Sequence, residues 1–138
     1  MTQEYGLHLT LDLPYDDAVE QTTLALKEEG FGVLTEIDVK ATMKKKLDKD
    51  FRRYVILGAC NPPLAYQALT AELNIGLLLP CNVIVYETTE GGSAVSIVDP
   101  LAMMSVTGSE ALDQVAKEAN TRLNRVLDRL RQTVAEAN

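Results

Sequence analysis

Between Arg53 and Lys117 the chain carries no lysine or arginine, while seven of its thirteen basic residues crowd into the stretch from Lys40 to Arg53. Within the basic-free stretch lie two β-prone segments with apolar residues on both alternating faces. Val55 and Leu57 oppose Tyr54 and Ile56 in the first, and Val83 and Val85 oppose Ile84 and Tyr86 in the second. A strand with one wet face alternates apolar and polar residues; one covered on both faces does not. The middle of the chain is therefore expected to form a buried sheet and its turns, with the amphipathic elements at either side packed against it.

Those flanking elements follow from spacing. Tyr5, Leu7, Leu9, Leu11 and Leu13 alternate with Gly6, His8, Thr10 and Asp12, the period of a half-buried strand that Pro14 ends. Asp16 and Asp17 suit a helix start, Ala18, Val19, Thr22, Ala25 and Leu26 share a helical face, and Gly30 stops it. Phe31 to Ile37 reads as a strand, and Asp38 as the cap of a short helix carrying Val39, Met43 and Leu47 on one side. Asn61-Pro62-Pro63 breaks the strand Arg53–Cys60 from a helix over about Leu64–Leu73, and a further strand is expected over Leu77–Thr88. Gly91-Gly92 turns that strand into Ala94–Val98, and Leu101–Val106 forms a short helical turn. Thr107 to Glu110 has capping-box spacing ahead of a long helix striped by Leu112, Val115, Ala116, Ala119, Leu123, Val126, Leu127, Leu130 and Val134. The fold class is α+β, an antiparallel sheet of about five strands with two main and two inserted helices.

At 138 residues, with 46% apolar and 24% charged residues, the chain has the size and composition of one soluble globular domain. No repeat or linker divides it. A net charge of −7 argues against nucleic acid or an anionic membrane as partner. No run approaches the roughly 18 apolar residues of a membrane span, and no basic-then-apolar signal segment opens the chain. Two cysteines in a chain of this length do not make a disulfide framework, so a cytoplasmic setting with reduced thiols is expected.

The unusual chemistry sits at Gly58-Ala-Cys60-Asn61-Pro62-Pro63 and Leu79-Pro80-Cys81-Asn82-Val83, two Cys-Asn pairs each beside a proline. Cys60 ends one strand and Cys81 lies near the start of the next. An antiparallel pairing brings those ends together, so the two thiols are expected close enough to share a site. Candidate ligand-binding residues are Cys60, Asn61, Cys81, Asn82, and Asp99, Met103 and Met104 from the turn after the last strand. Thiolate and thioether together suit a soft metal such as Cu(I), with Cys60 and Cys81 as its ligands. Zinc requires four ligands, and the chain holds two cysteines and one histidine, so carboxylates or a second subunit would have to contribute. The 21-residue offset from Cys60 to Cys81 is not a CxxC redox motif. A thiolate nucleophile needs a cation, a metal or a helix N-terminus beside it; Cys60 just precedes a helix. His8, the only histidine, lies opposite the leucines of its strand, and Lys44-Lys45-Lys46 reads as a solvated helix face. Free cysteines and methionines also serve as simple core filler.

The central stretch resembles the domain of unknown function 302 family of uncharacterised bacterial and archaeal proteins. The resemblance is carried by Gly30-Phe31-Gly32-Val33-Leu34-Thr35-Glu36-Ile37-Asp38, Leu57 to Pro62, Ala68-Leu69, Asn74 to Val83 and Asp99-Pro100. It implies a TATA-binding-protein-like β-α-β(4)-α arrangement with a helical insertion, and it implies no activity or cofactor; fold likeness alone does not license DNA binding. Three functions stay open: a small domain binding a small ligand or soft metal, a thiol enzyme using Cys60 or Cys81, and a structural or interaction module. A homodimer is expected as well. One layer of helices covers one sheet face, and the other would expose Tyr54, Ile56, Ile84 and Tyr86, or their opposite-face neighbours, together, unless the inserted helices cover that face instead.

Overall fold

The sheet expected from the doubly apolar segments is present, and those segments occupy its middle. The computed structural model describes residues 5–137. Strands β1 (Gly6–Leu11), β2 (Gly32–Asp38), β3 (Tyr54–Cys60), β4 (Cys81–Glu87) and β5 (Ser93–Val98) pair antiparallel in the order β1-β5-β4-β3-β2. The helices are α1 (Tyr15–Glu28), α2 (Val39–Leu47), α3 (Pro62–Ala71), α4 (Pro100–Ser105) and α5 (Glu110–Ala137), with a 3-10 segment at Leu73–Leu78. With α2, α3 and α4 set aside as insertions, the succession is β-α-β(4)-α. No helix among the described residues is long and apolar enough to cross a membrane.

Alternation decides which side of the sheet is dry. Leu57 of β3, Val83 and Val85 of β4, and Val95 and Ile97 of β5 are fully buried beneath Leu26 of α1 and Leu123, Val126 and Leu130 of α5. Burying each such side chain stabilises the fold by roughly 1.5–3 kcal/mol before entropy is counted. At the edge, β1 turns its leucines inward and leaves His8 and Thr10 exposed, with His8 Nδ1 2.7 Å from Ser96 Oγ on β5.

α1 and α5 are fastened to each other at the C-terminal end of α1. Gly30 takes φ +86°, its N–H donates to the Lys27 carbonyl, and the Phe31 N–H donates to the Leu26 carbonyl. This double closure satisfies carbonyls the helix would otherwise leave unpaired and drops Phe31 into the core. Glu29, 6% exposed, accepts from Arg125 Nε at 2.8 Å and Arg129 Nε at 2.9 Å. Burial alone would raise its pKa, but the two guanidinium hydrogen bonds outweigh it and hold the carboxyl below its usual range.

Local expectations shift at three junctions. α3 begins at Pro62, not Leu64, because Asn61 caps it and prolines at the first two positions need no donor there. β4 begins at Cys81, not Leu77. The Leu73–Leu78 segment coils as a 3-10 helix, and Pro80 has no N–H to give a ladder. The cap of α5 is Ser109, whose Oγ accepts from the Leu112 N–H, not Thr107. The Thr107 hydroxyl instead donates to the Met104 carbonyl at 2.7 Å.

Candidate functional site

Small side chains leave a hole between two packed clusters. The main core holds Phe31, Ala59 and Ala119; a second cluster holds Ala68, Met104 and Val115, and Leu64 of α3 packs against both. Where α3 and α5 meet the ends of β3 and β4, alanines at 59, 65, 68 and 119 stand in place of larger residues. A cavity of about 330 Å³ remains, bordered by those residues together with Cys60, Asn61, Leu69, Leu79, Pro80 and Cys81. None of the described side chains lining it is charged.

The proposed site residues divide across the fold. Cys60, Asn61, Cys81 and Met104 border the cavity. Asn82 does not: it is exposed on the opposite face of the sheet, across the ladder from Gly58, in a shallow groove with Tyr54, Ile84 and Tyr86. Adjacent strand residues point to opposite faces, so Cys81 and Asn82 could not both face one site. Asp99 is a structural joint. Its Oδ1 accepts from the Leu101 N–H at 2.9 Å, capping α4, and from Asn120 Nδ2 at 3.0 Å, tying α4 to α5. Met103 packs half-buried against the second cluster, while Met104 is 2% exposed at the cavity wall.

The expectation of a close two-cysteine pair is corrected. β3 and β4 are antiparallel neighbours as required, but Cys81 sits opposite Ala59, and Cys60 lies one residue further along. With that one-residue offset the two cysteines are not close together, although both border the cavity. Both are free thiols. Burial, with a lesser contribution from the charge of Cys60, pushes the Cys81 thiol up to about 11. That is the opposite of nucleophile activation, which depresses a thiol's pKa. The soft-metal expectation loses its ligand set with the pair. Among the described residues no group of three or more His, Cys, Asp or Glu side chains is placed to hold a metal ion.

Asn61 is the buried polar side chain of the cavity, which the exposed Thr35 also lines. The asparagine is 6% exposed; its Oδ1 accepts from the Leu64 N–H at 3.2 Å, which commits the oxygen to capping α3 and leaves Nδ2 as the donor. Lining residues that motif reading missed are alanines and leucines on the inner sides of α3 and α5. Their one signal in sequence was small residues on apolar helix faces where neighbouring turns carry leucine.

An α+β domain with a five-stranded antiparallel sheet and an apolar cavity at one end of its central strands is thus defined. The chain belongs to the family described as domain of unknown function DUF302, whose model matches residues 7–130. It is similar to the uncharacterized conserved protein DUF302 from Bacillus stearothermophilus, whose crystal structure aligns with a TM-score of 0.84 at 30% identity, covering 91% of this chain and 98% of that one. No curated protein matches the chain.

Proposed function

We propose that this domain binds a small, mainly apolar molecule in the cavity between α3, α5 and the ends of β3 and β4. The observation that carries this reading is a hole of about 330 Å³ with an uncharged wall and one buried amide, Asn61, at its side. Ligand sites are typically apolar concavities of about 300–1,000 Å³ with a few fixed polar groups. A thiol enzyme is less well supported, since no cation lines the cavity and Cys81 is held protonated. Native mass spectrometry of protein purified without detergent tests the proposal, with Ala68→Phe filling the hole. A bound mass, or a rise in melting temperature with 1-decanol, is expected for the wild type and should be lost in the variant. Neither effect in the wild type would refute the reading.

The outer face of the sheet supports a second proposal, a homodimer. Tyr54, Ile56, Ile84, Tyr86 and Val98 are only half-buried there, and Tyr54 and Tyr86 stack at 5.4 Å between ring centroids. A two-fold partner would cover them with the same surface. Light scattering at micromolar concentration should give twice the chain mass, and Ile84→Arg should halve it; a monomeric wild type would remove the proposal. Two free thiols accord with a reducing, cytoplasmic setting for a chain read as one domain.

A further inference from the structure

Half of the sulfur in this chain gathers around the cavity. The sequence holds two cysteines and four methionines. Three of these, Cys60, Cys81 and Met104, line the hole between α3, α5 and the strand ends. They arrive from separate elements, the end of β3, the start of β4 and the short helix α4. Phe31, one of the two phenylalanines in the chain, lines the same space. Packing alone accounts for a sulfur side chain at any one position. It does not account for three of them and a phenyl ring around a space that stays unfilled.

The sulfur groups sit in an uncharged wall. No described side chain lining the cavity is ionic. Cys81 stays a protonated thiol at neutral pH, with burial first and Cys60 second raising its pKa to about 11. Met104 is 2% exposed and Cys81 7%, so bulk water hardly competes for either side chain. A charged group drawn against such a wall would lose its hydration with no ion to replace it. Leu34 and Thr35 of the edge strand β2 and Leu69 of α3 also line the cavity and are exposed, which gives a ligand a way in.

We infer that the ligand is an uncharged aromatic molecule of about two fused rings, held among Phe31, Cys60, Cys81 and Met104. This rests on the reading that the cavity binds a ligand. A cavity of about 150 Å³ holds a benzene ring, so about 330 Å³ has room for a ring system roughly twice that size. Apolar burial scales with area and does not distinguish a ring system from its saturated counterpart. Polarizable sulfur does, because it makes favourable contacts with an aromatic ring that a saturated hydrocarbon forgoes. Phe31 adds an offset-stacked or edge-to-face partner in the same sense.

Calorimetric titration of the full chain at pH 7 with 2-naphthol, decahydro-2-naphthol and 2-naphthoate tests the inference. These share a bicyclic skeleton and differ in aromaticity or in charge. Naphthol should bind at least about tenfold more tightly than its saturated counterpart, and naphthoate at least about tenfold more weakly than naphthol. Met104→Leu, which nearly conserves volume, should cut the naphthol preference by about two- to tenfold while leaving decahydronaphthol affinity unchanged. Circular dichroism establishes that the variant is folded. A second readout needs no variant: with methyl-labelled methionine, the ring current of bound naphthol should move the Met104 methyl resonance and leave that of Met43 on α2 in place. Equal binding of naphthol and decahydronaphthol, an unchanged preference in Met104→Leu, or a Met104 methyl that does not move overturns the aromatic inference and leaves the apolar cavity reading standing. Naphthoate binding as tightly as naphthol overturns the requirement that the ligand be uncharged. No binding of any of the three overturns both.

Discussion

Removing Cys60 isolates a thiol whose chemistry the structure makes quantitative. In a Cys60→Ser variant the remaining thiol is Cys81, 7% exposed, whose pKa in the native chain is pushed up from an ordinary 9.0 to about 11, chiefly by burial and to a lesser extent by Cys60. At pH 8 a shift of that size reduces the reactive thiolate by about a hundredfold relative to an ordinary cysteine, and the variant keeps the larger, burial-driven share of it. Reaction with an aromatic disulfide reagent should therefore be more than about tenfold slower than that of a free thiol, and should recover fully in denaturant. The same shift links to stability. The folded state holds the Cys81 proton more tightly than the unfolded state, so the contribution is intact below pH 9.0 and lost as pH rises towards about 11. The full loss is on the order of 3 kcal/mol, and Cys81→Ala should remove that alkaline slope from chemical-denaturation curves. A Cys81 that reacts as quickly as a free thiol in the folded protein, with a rate that levels off near pH 9, would show the sulfur to be solvated and the burial argument wrong.

Glu29→Gln should lower stability by about 1–3 kcal/mol at pH 7 by weakening two charge-assisted hydrogen bonds. The depressed Glu29 pKa makes its contribution present above the unfolded carboxyl value and lost as pH falls through the folded value, so urea melts of the two proteins should converge in acid. Gly30→Ala should cost about 1–2 kcal/mol from its φ of +86°, with the new methyl also pressing on Asn61 Nδ2; an unchanged melt would contradict the turn geometry. Thr22→Val should be neutral or stabilising by up to about 1 kcal/mol in the same assay, because the buried Thr22 hydroxyl has no hydrogen-bond partner among the described residues.

Patterns with a fixed period were legible directly. The alternation of β1 and the helical stripe of α5 each state which side of the element is dry, because backbone geometry sets the period whatever the neighbours are, while the doubly apolar β3 and β4 mark the middle of the sheet without choosing a face. Gly30 and Asp38 were legible for the same local reason, a left-handed turn in one and a side-chain cap in the other. Asn61 and Met104 were picked out as chemically distinctive, and both border the cavity.

The rest depended on contacts between distant residues. Strand phase separates Cys81 from Asn82 and sets Cys81 against Ala59, so a repeated Cys-Asn motif that looks like one site is divided between two faces and two positions. Asp99 reads as a site residue until Asn120, on another helix, is seen to satisfy it. The cavity itself arises where alanines from β3, α3 and α5 face one another, and no single segment encodes that meeting. Local sequence determined the elements and their dry faces, because hydrogen-bonding geometry repeats along the chain. Only tertiary packing decided which small side chains would meet, and so where the protein has room for something else.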